Sequence, residues 1–180
     1  MKYKFANKEN TTVNDNENNV MNITQHNWRW QEYQDWLAEG NVTEPYQTEE
    51  EELNEALNQK ISEILIMNDA KDKEPILFKG ELFKNTNAVT ETIKVGEMMG
   101  QQDTDPLFVN GGYWDNFDGS ISVPFTFKDL KDLYTTDYMK CAVHYAVAKY
   151  HIDTVKSFST PEEILNYDIT VGWDGSILNN

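Results

Sequence analysis

Cysteine, arginine and long apolar runs are the scarce features of this sequence. Cys141 is the single cysteine, which excludes an intrachain disulfide and any thiolate metal cluster within one chain. It falls in an apolar, helix-periodic stretch, where a free cysteine is usually a buried structural thiol rather than a nucleophile. Apolar runs are no longer than clusters such as Ile64, Leu65, Ile66 and Met67, short of the roughly 18 residues of a spanning helix, so no membrane crossing is expected. The opening MKYKFANKEN has lysines without an apolar core behind them and does not read as a secretory signal. The glycosylation sequons at Asn10, Asn22 and Asn41 then read as chance matches in an Asn-rich chain.

Positive charge is also short. Fifteen Lys and Arg, with Arg29 the lone arginine, face 31 Asp and Glu for a net charge of −16. Neutralising phosphates requires clustered Lys and Arg, so nucleic acid and anionic membrane are disfavoured as partners. Catalytic signatures are missing too: no G-x-S-x-G elbow, P-loop or G-x-G-x-x-G occurs. The histidines His26, His144 and His151 are dispersed. The last two lie seven apart, whereas helical metal sites use spacings of about three or four with a further ligand nearby, so both read as structural. The stretch WDNFDGSI puts Asn116, Asp118, Gly119 and Ile121 in a calcium-loop register, but Trp114 and Phe125 stand where carboxylates are required. No catalytic residue, cofactor or metal is expected, and the chain does not read as an enzyme.

What is present suits one main core in 180 residues. The fold class read from the pattern is α+β: a small domain with β-hairpins and one long helix, preceded by an extended N-terminal arm and helices. Residues 1–47 read as an arm with a short docking helix, 48–74 as a helix and connector, and 75–180 as the compact α+β domain. The arm is polar apart from a strand-like patch at residues 3–5, and it has too little apolar surface to order itself alone. A helix follows at Trp28, Tyr33, Trp36 and Leu37, stopped by Gly40 and Asn41. Residues 41–51 form an acidic linker through Pro45. Thr48 and Glu51 make a capping box for a helix over 49–67, whose stripe of Leu53, Ala56, Leu57, Ile61, Ile64 and Leu65 suits intrachain packing or a bundle between subunits. ILFKGELFK reads as a hairpin turning at Lys79 and Gly80. Asn87 then caps a helix ending near Gly100, and a second hairpin turns at Asp118 and Gly119.

Thr126 caps the longest helix, 127–158, with an apolar face expected at Leu130, Tyr134, Tyr138, Cys141, Tyr145, Ala148, Ile152 and Val155. Thr160, Pro161 and Glu163 start a short final helix. Residues 117–121 and 173–177 repeat the pattern aromatic-Asp-Gly-Ser-Ile, which reads as shared turn chemistry rather than an internal repeat. Two aromatic groups are candidate sites. Trp28, Trp30, Tyr33, Trp36 and Leu37 form either a partner-docking surface or an intrachain cluster. Tyr113, Trp114 and Phe117 form either a ligand-facing platform or hairpin core.

The F-x-G of residues 78–80, a helix, a Trp-containing hairpin, the Thr-capped helix DLKDLYTTDYMKCAVHYAVAKY and the ending TPEEILNYDITVGW resemble a domain common in tail-fibre-type proteins of tailed bacteriophages. The resemblance spans about residues 75–173. Upstream, EYQDWLAEGNVTEP is similar to a Tyr-, Trp- or Leu-rich segment ending in G-N-T-P-E-P that often precedes that domain, with one inserted residue here. The family offers no established catalytic residues. The resemblance implies a structural protein of the virion, in the tail fibre or at the baseplate periphery, made in the host cytoplasm. The split between a polar arm and a self-sufficient α+β unit adds the expectation that the N-terminal arm docks onto other tail or virion proteins. A homo-oligomer, a trimer among the options, is expected on the same ground. An intracellular tail-fibre assembly chaperone is the alternative, and a carbohydrate-binding module using Tyr113, Trp114 and Phe117 is a third reading.

Overall fold

The computed structural model describes residues 3–15, 20–22, 28–84 and 86–179, and it is an α+β protein of helices and small antiparallel sheets. His26 lies outside the described residues. Two compact units divide the chain, Met1–Asn58 with Ser159–Pro161, and Gln59–Phe158 with Glu162–Asn180.

In the first unit, β1 (Lys4–Phe5), β2 (Thr12–Asn14) and β3 (Val20–Asn22) pair in that order, with Phe5 opposite Val13 and Val13 opposite Met21. The Asn7 side chain closes the first connection, its Oδ1 accepting from the Thr11 and Thr12 N–H groups at 3.0 and 3.1 Å. The polar arm orders itself by placing Tyr3 and Val13 against α1 (Trp28–Ala38), whose Tyr33 is buried and whose Trp30, Trp36 and Leu37 pack around the same cluster. Tyr3 meets Tyr33 and Trp36 edge-on at 4.9 and 5.1 Å, a favoured geometry for aromatic pairs. Gly40 at φ 87° ends α1, and the Asn41 amide donates to the Trp36 carbonyl at 2.8 Å, as the Gly-Asn stop predicts. The stretch read as a linker is partly pinned: Phe5 N–H donates to the Glu44 carbonyl and Glu44 N–H to the Tyr3 carbonyl, each at 2.9 Å. An open strand edge offers such pairing to any extended neighbour.

Helix α2 (Glu49–Asp72) starts with the expected reciprocal cap, Thr48 N–H to Glu51 Oε2 at 2.8 Å and Glu51 N–H to Thr48 Oγ1 at 3.1 Å. It continues beyond the expected residue 67, because nothing before Pro75 forbids helix. Ala56 and Ile64 are buried as expected, but Leu65 is exposed and Lys60 is buried instead. Lys60 buries its aliphatic stem and carries its ammonium to Glu63 at 3.0 Å and the Tyr167 carbonyl at 3.4 Å.

The second unit opens with the hairpin β4 (Ile76–Phe78) and β5 (Glu81–Phe83), turning through Lys79 and Gly80 at φ 50° and 85°, the positive pair that a type I′ turn demands. Ile76 and Phe83 face a core completed by Val89, Leu107, Phe125, Phe127, Leu130 and Leu133. Helix α3 (Asn87–Met98) begins one residue earlier than expected, with Thr86 rather than Asn87 in the capping position. Gly96 lets α3 approach the Phe127 ring: a Cβ there would lie 2.5 Å from Phe127 Cε2. The hairpin β6 (Tyr113–Asp115) and β7 (Ser122–Pro124) follows.

Helix α4 (Phe127–Lys156) has its capping box: Asp129 N–H donates to Thr126 Oγ1 at 3.1 Å, and Thr126 N–H to Asp129 Oδ2 at 2.8 Å. Its buried face holds Leu130, Ala148 and Val155, as expected, but otherwise Leu133, His144, Val147 and His151. Tyr134, Tyr138 and Tyr145 point outward, the last at 70 % exposure, while Cys141 and Ile152 are only half-buried. The expected stripe failed because it ran 130, 134, 138: each four-residue step overshoots a 3.6-residue turn by about 40° and walks off the packed face. Helix α5 (Pro161–Asn166) and a short 3₁₀ turn, Ser176–Asn179, finish the chain.

Candidate functional site

The β6–β7 hairpin is shaped by its own polar side chains. Asp118 Oδ1 accepts from the Ser120 N–H at 2.9 Å and the Ser120 hydroxyl at 2.5 Å, Gly119 turns at φ 73°, and Asn116 Oδ1 accepts from the Ile121 N–H at 3.2 Å. The Ser120 hydrogen bonds hold the Asp118 carboxyl below the usual carboxylate range. Phe117 N–H donates to the Leu82 carbonyl at 2.6 Å, tying this turn to β5. Strand alternation separates Tyr113 from Trp114 within β6, and Phe117 lies beyond the strand, beside the turn. Trp114 packs against the core, whereas Tyr113 and Phe117 are exposed.

Trp114 and Phe117 share a cleft of about 350 Å³ with Lys84, Thr86, Asn110 and Asn116. The Lys84 ammonium stands 5.6 Å from the Phe117 ring centroid, a cation–π distance. Tyr113 belongs elsewhere, beside Lys79, Pro106 and Phe125 in a second cleft of about 330 Å³. There Lys79 Nζ reaches Asp129 Oδ2 at 2.8 Å and the Pro124 carbonyl at 2.9 Å. Burial would raise the Asp129 carboxyl, but the bonds from Lys79 and Thr126 outweigh it and hold it low. Lys84, Thr86 and Asn110 escaped the sequence reading. The one signal for them is Asn110-Gly111-Gly112 directly before Tyr113, a run where Asn110 and both glycines adopt positive φ.

The first aromatic group is also divided. Trp30, Tyr33, Trp36 and Leu37 join the core of the first unit, and the Tyr33 hydroxyl shares a 2.6 Å hydrogen bond with Thr43 Oγ1. Trp28 stays 66 % exposed, with the Arg29 guanidinium 5.1 Å over its ring.

Both described histidines are held. His144 Nδ1 lies 2.8 Å from Asp72 Oδ1. His151 is fully buried, with Nε2 3.1 Å from the Val171 carbonyl and Nδ1 2.8 Å from the Tyr167 hydroxyl. A carbonyl only accepts, so Nε2 carries the proton and Nδ1 accepts from tyrosine. Burial lowers the His151 pKa, which favours this neutral form. Burial also pushes the Cys141 thiol up, helped by the Asp137 and Asp72 carboxylates, leaving a poor nucleophile at neutral pH. Among the described residues, no three His, Cys, Asp or Glu side chains are grouped to hold a metal ion, and no helix is long and apolar enough to cross a membrane.

Compared with known proteins, the chain matches no family model, no curated protein and no solved structure.

Proposed function

We propose that this protein is a structural component of a tailed-phage virion, a tail-fibre or baseplate-peripheral part that works by being built into an assembly. The observation that carries this reading is the outer face of α4. Tyr138, Met139 and Tyr145 are 63, 59 and 70 % exposed, while the opposite face is occupied by core residues. Exposed aromatic and methionine side chains in a row are the material of protein interfaces. The resemblance of residues 75–173 to a tail-fibre-type domain narrows the assembly to a phage tail. Trp28 is the docking residue of the N-terminal unit in this reading, since the other four aromatic and leucine candidates are engaged in its core. A homo-oligomer, trimeric in the fibre case, and contacts with other tail proteins belong to the same proposal.

Mass spectrometry of purified particles, quantified against the major capsid protein, tests it. The polypeptide is expected at stoichiometric copy number, and Tyr138→Glu or Trp28→Ala is expected to reduce its incorporation while leaving the circular dichroism spectrum unchanged. Detection in infected-cell lysate but not in particles would overturn the structural role and favour an assembly chaperone.

A further inference from the structure

We propose that the cleft between β6 and the start of α3 is a saccharide-binding site that takes an acidic sugar in preference to its neutral counterpart. Its volume of about 350 Å³ lies at the small end of ligand pockets, which run from about 300 to 1,000 Å³, and suits one or two sugar rings. A pyranose offers a face of C–H groups and a rim of hydroxyls. The half-exposed Phe117 ring supplies an apolar surface for the first. For the second, the cleft is lined by Thr86, whose hydroxyl makes no side-chain cap bond, by Asn110 and by Trp114, whose rings pack on the core. None of Lys84, Asn110 and Trp114 has a side-chain hydrogen-bond partner or ion pair among the described residues, so their donors are available to a ligand.

Charge selects within that class. Lys84 is the cation of the cleft, and Asp115 lines it too, with one carboxylate oxygen accepting from Ser122 Oγ at 2.5 Å. One ammonium beside one carboxylate disfavours a polyphosphate or nucleotide. A single sugar carboxylate can pair with Lys84 while ring hydroxyls donate to Asp115. The proposal stands apart from the virion reading, because binding by the purified chain and incorporation into particles can each fail alone.

Saturation-transfer NMR on the full chain with glucose, N-acetylglucosamine and glucuronic acid tests it, with inorganic phosphate followed by protein amide shifts. Transfer to sugar ring C–H protons is expected, strongest for glucuronic acid. Phe117→Ala should weaken binding about tenfold, and Asn110→Gly, which keeps the left-handed backbone, should weaken it without disturbing the fold. Lys84→Ala should erase the advantage of glucuronic acid over glucose and leave ring contact in place, and Tyr145→Ala should change nothing. Absence of transfer from all three sugars at millimolar concentration, transfer that survives Phe117→Ala and Asn110→Gly together, or shifts at Lys84 and Thr86 with phosphate alone would each overturn the proposal.

Discussion

Residues 117–121 and 173–177 have the same local chemistry and opposite surroundings. In both, the aspartate Oδ1 accepts from the serine two residues on, at 2.9 and 2.5 Å for Asp118 and at 3.0 and 2.6 Å for Asp174, from N–H and hydroxyl respectively. Both glycines have positive φ, 73° at Gly119 and 87° at Gly175. Yet Phe117 is 51 % exposed and lines a cleft, whereas Trp173 is 6 % exposed, donates its indole N–H to the Ile169 carbonyl at 2.8 Å and lies 5.7 Å from the His151 ring. An aspartate-glycine-serine turn therefore sets the path of the backbone and leaves the fate of the preceding ring to whatever the turn is packed against.

The largest expected break in this pairing is at the rings. Trp173→Ala should cost about 3–5 kcal/mol, the range for emptying a buried aromatic site. Phe117→Ala should cost about 1 kcal/mol or less, because half of its surface is already in water. Urea denaturation followed by circular dichroism measures both, and equal losses would mean that the exposed ring holds the hairpin together. A smaller contrast is expected at the glycines. Alanine pays about 1–2 kcal/mol for left-handed backbone at either site, but a Cβ on Gly175 would stand 3.0 Å from Val143 Cγ1, while Gly119 faces open space. Gly175→Ala should therefore lower the melting temperature further than Gly119→Ala.

Acid sharpens the comparison next, since the buried ring is packed on His151 and the exposed one is not. The folded-state pKa of His151 lies below the ordinary 6.5, so the unfolded chain binds the proton first as pH falls. The stability tied to neutral His151 is complete above that value and drains away as pH drops below it towards the folded pKa. Thermal melts across this window should show the slope, and His151→Gln should flatten it. The smallest effect is a likeness: Asp118 and Asp174 should both titrate below the ordinary 3.8, each held down by its serine hydrogen bonds, and carboxyl NMR would expose any difference.

Most caps and turns were legible in the sequence, the exception being α3, where Thr86 and not Asn87 takes the capping position. Thr48 with Glu51, Thr126 with Asp129, Lys79 with Gly80 and the Gly40 stop all depend on residues within about five positions of one another. Faces were read less well. Leu65 and Tyr138 looked like core at helical spacing, but Lys60 and His151 took the buried places because Tyr167 and Val171, far along the chain, offered them partners. The cleft was half legible: Trp114 and Phe117 stood out as aromatics, whereas Lys84, Thr86 and Asn110 join them only across two other segments.

The sequence by itself determined the acidic surface, the α+β class, and the places where helices and hairpins begin and turn, because these rest on composition and on bonds between near neighbours. Tertiary structure alone decided which face of α4 is core, why Trp173 is buried while Phe117 is open, and which side chains meet in the cleft. Those outcomes depend on shape and on hydrogen-bond partners supplied by distant segments, which no local pattern records.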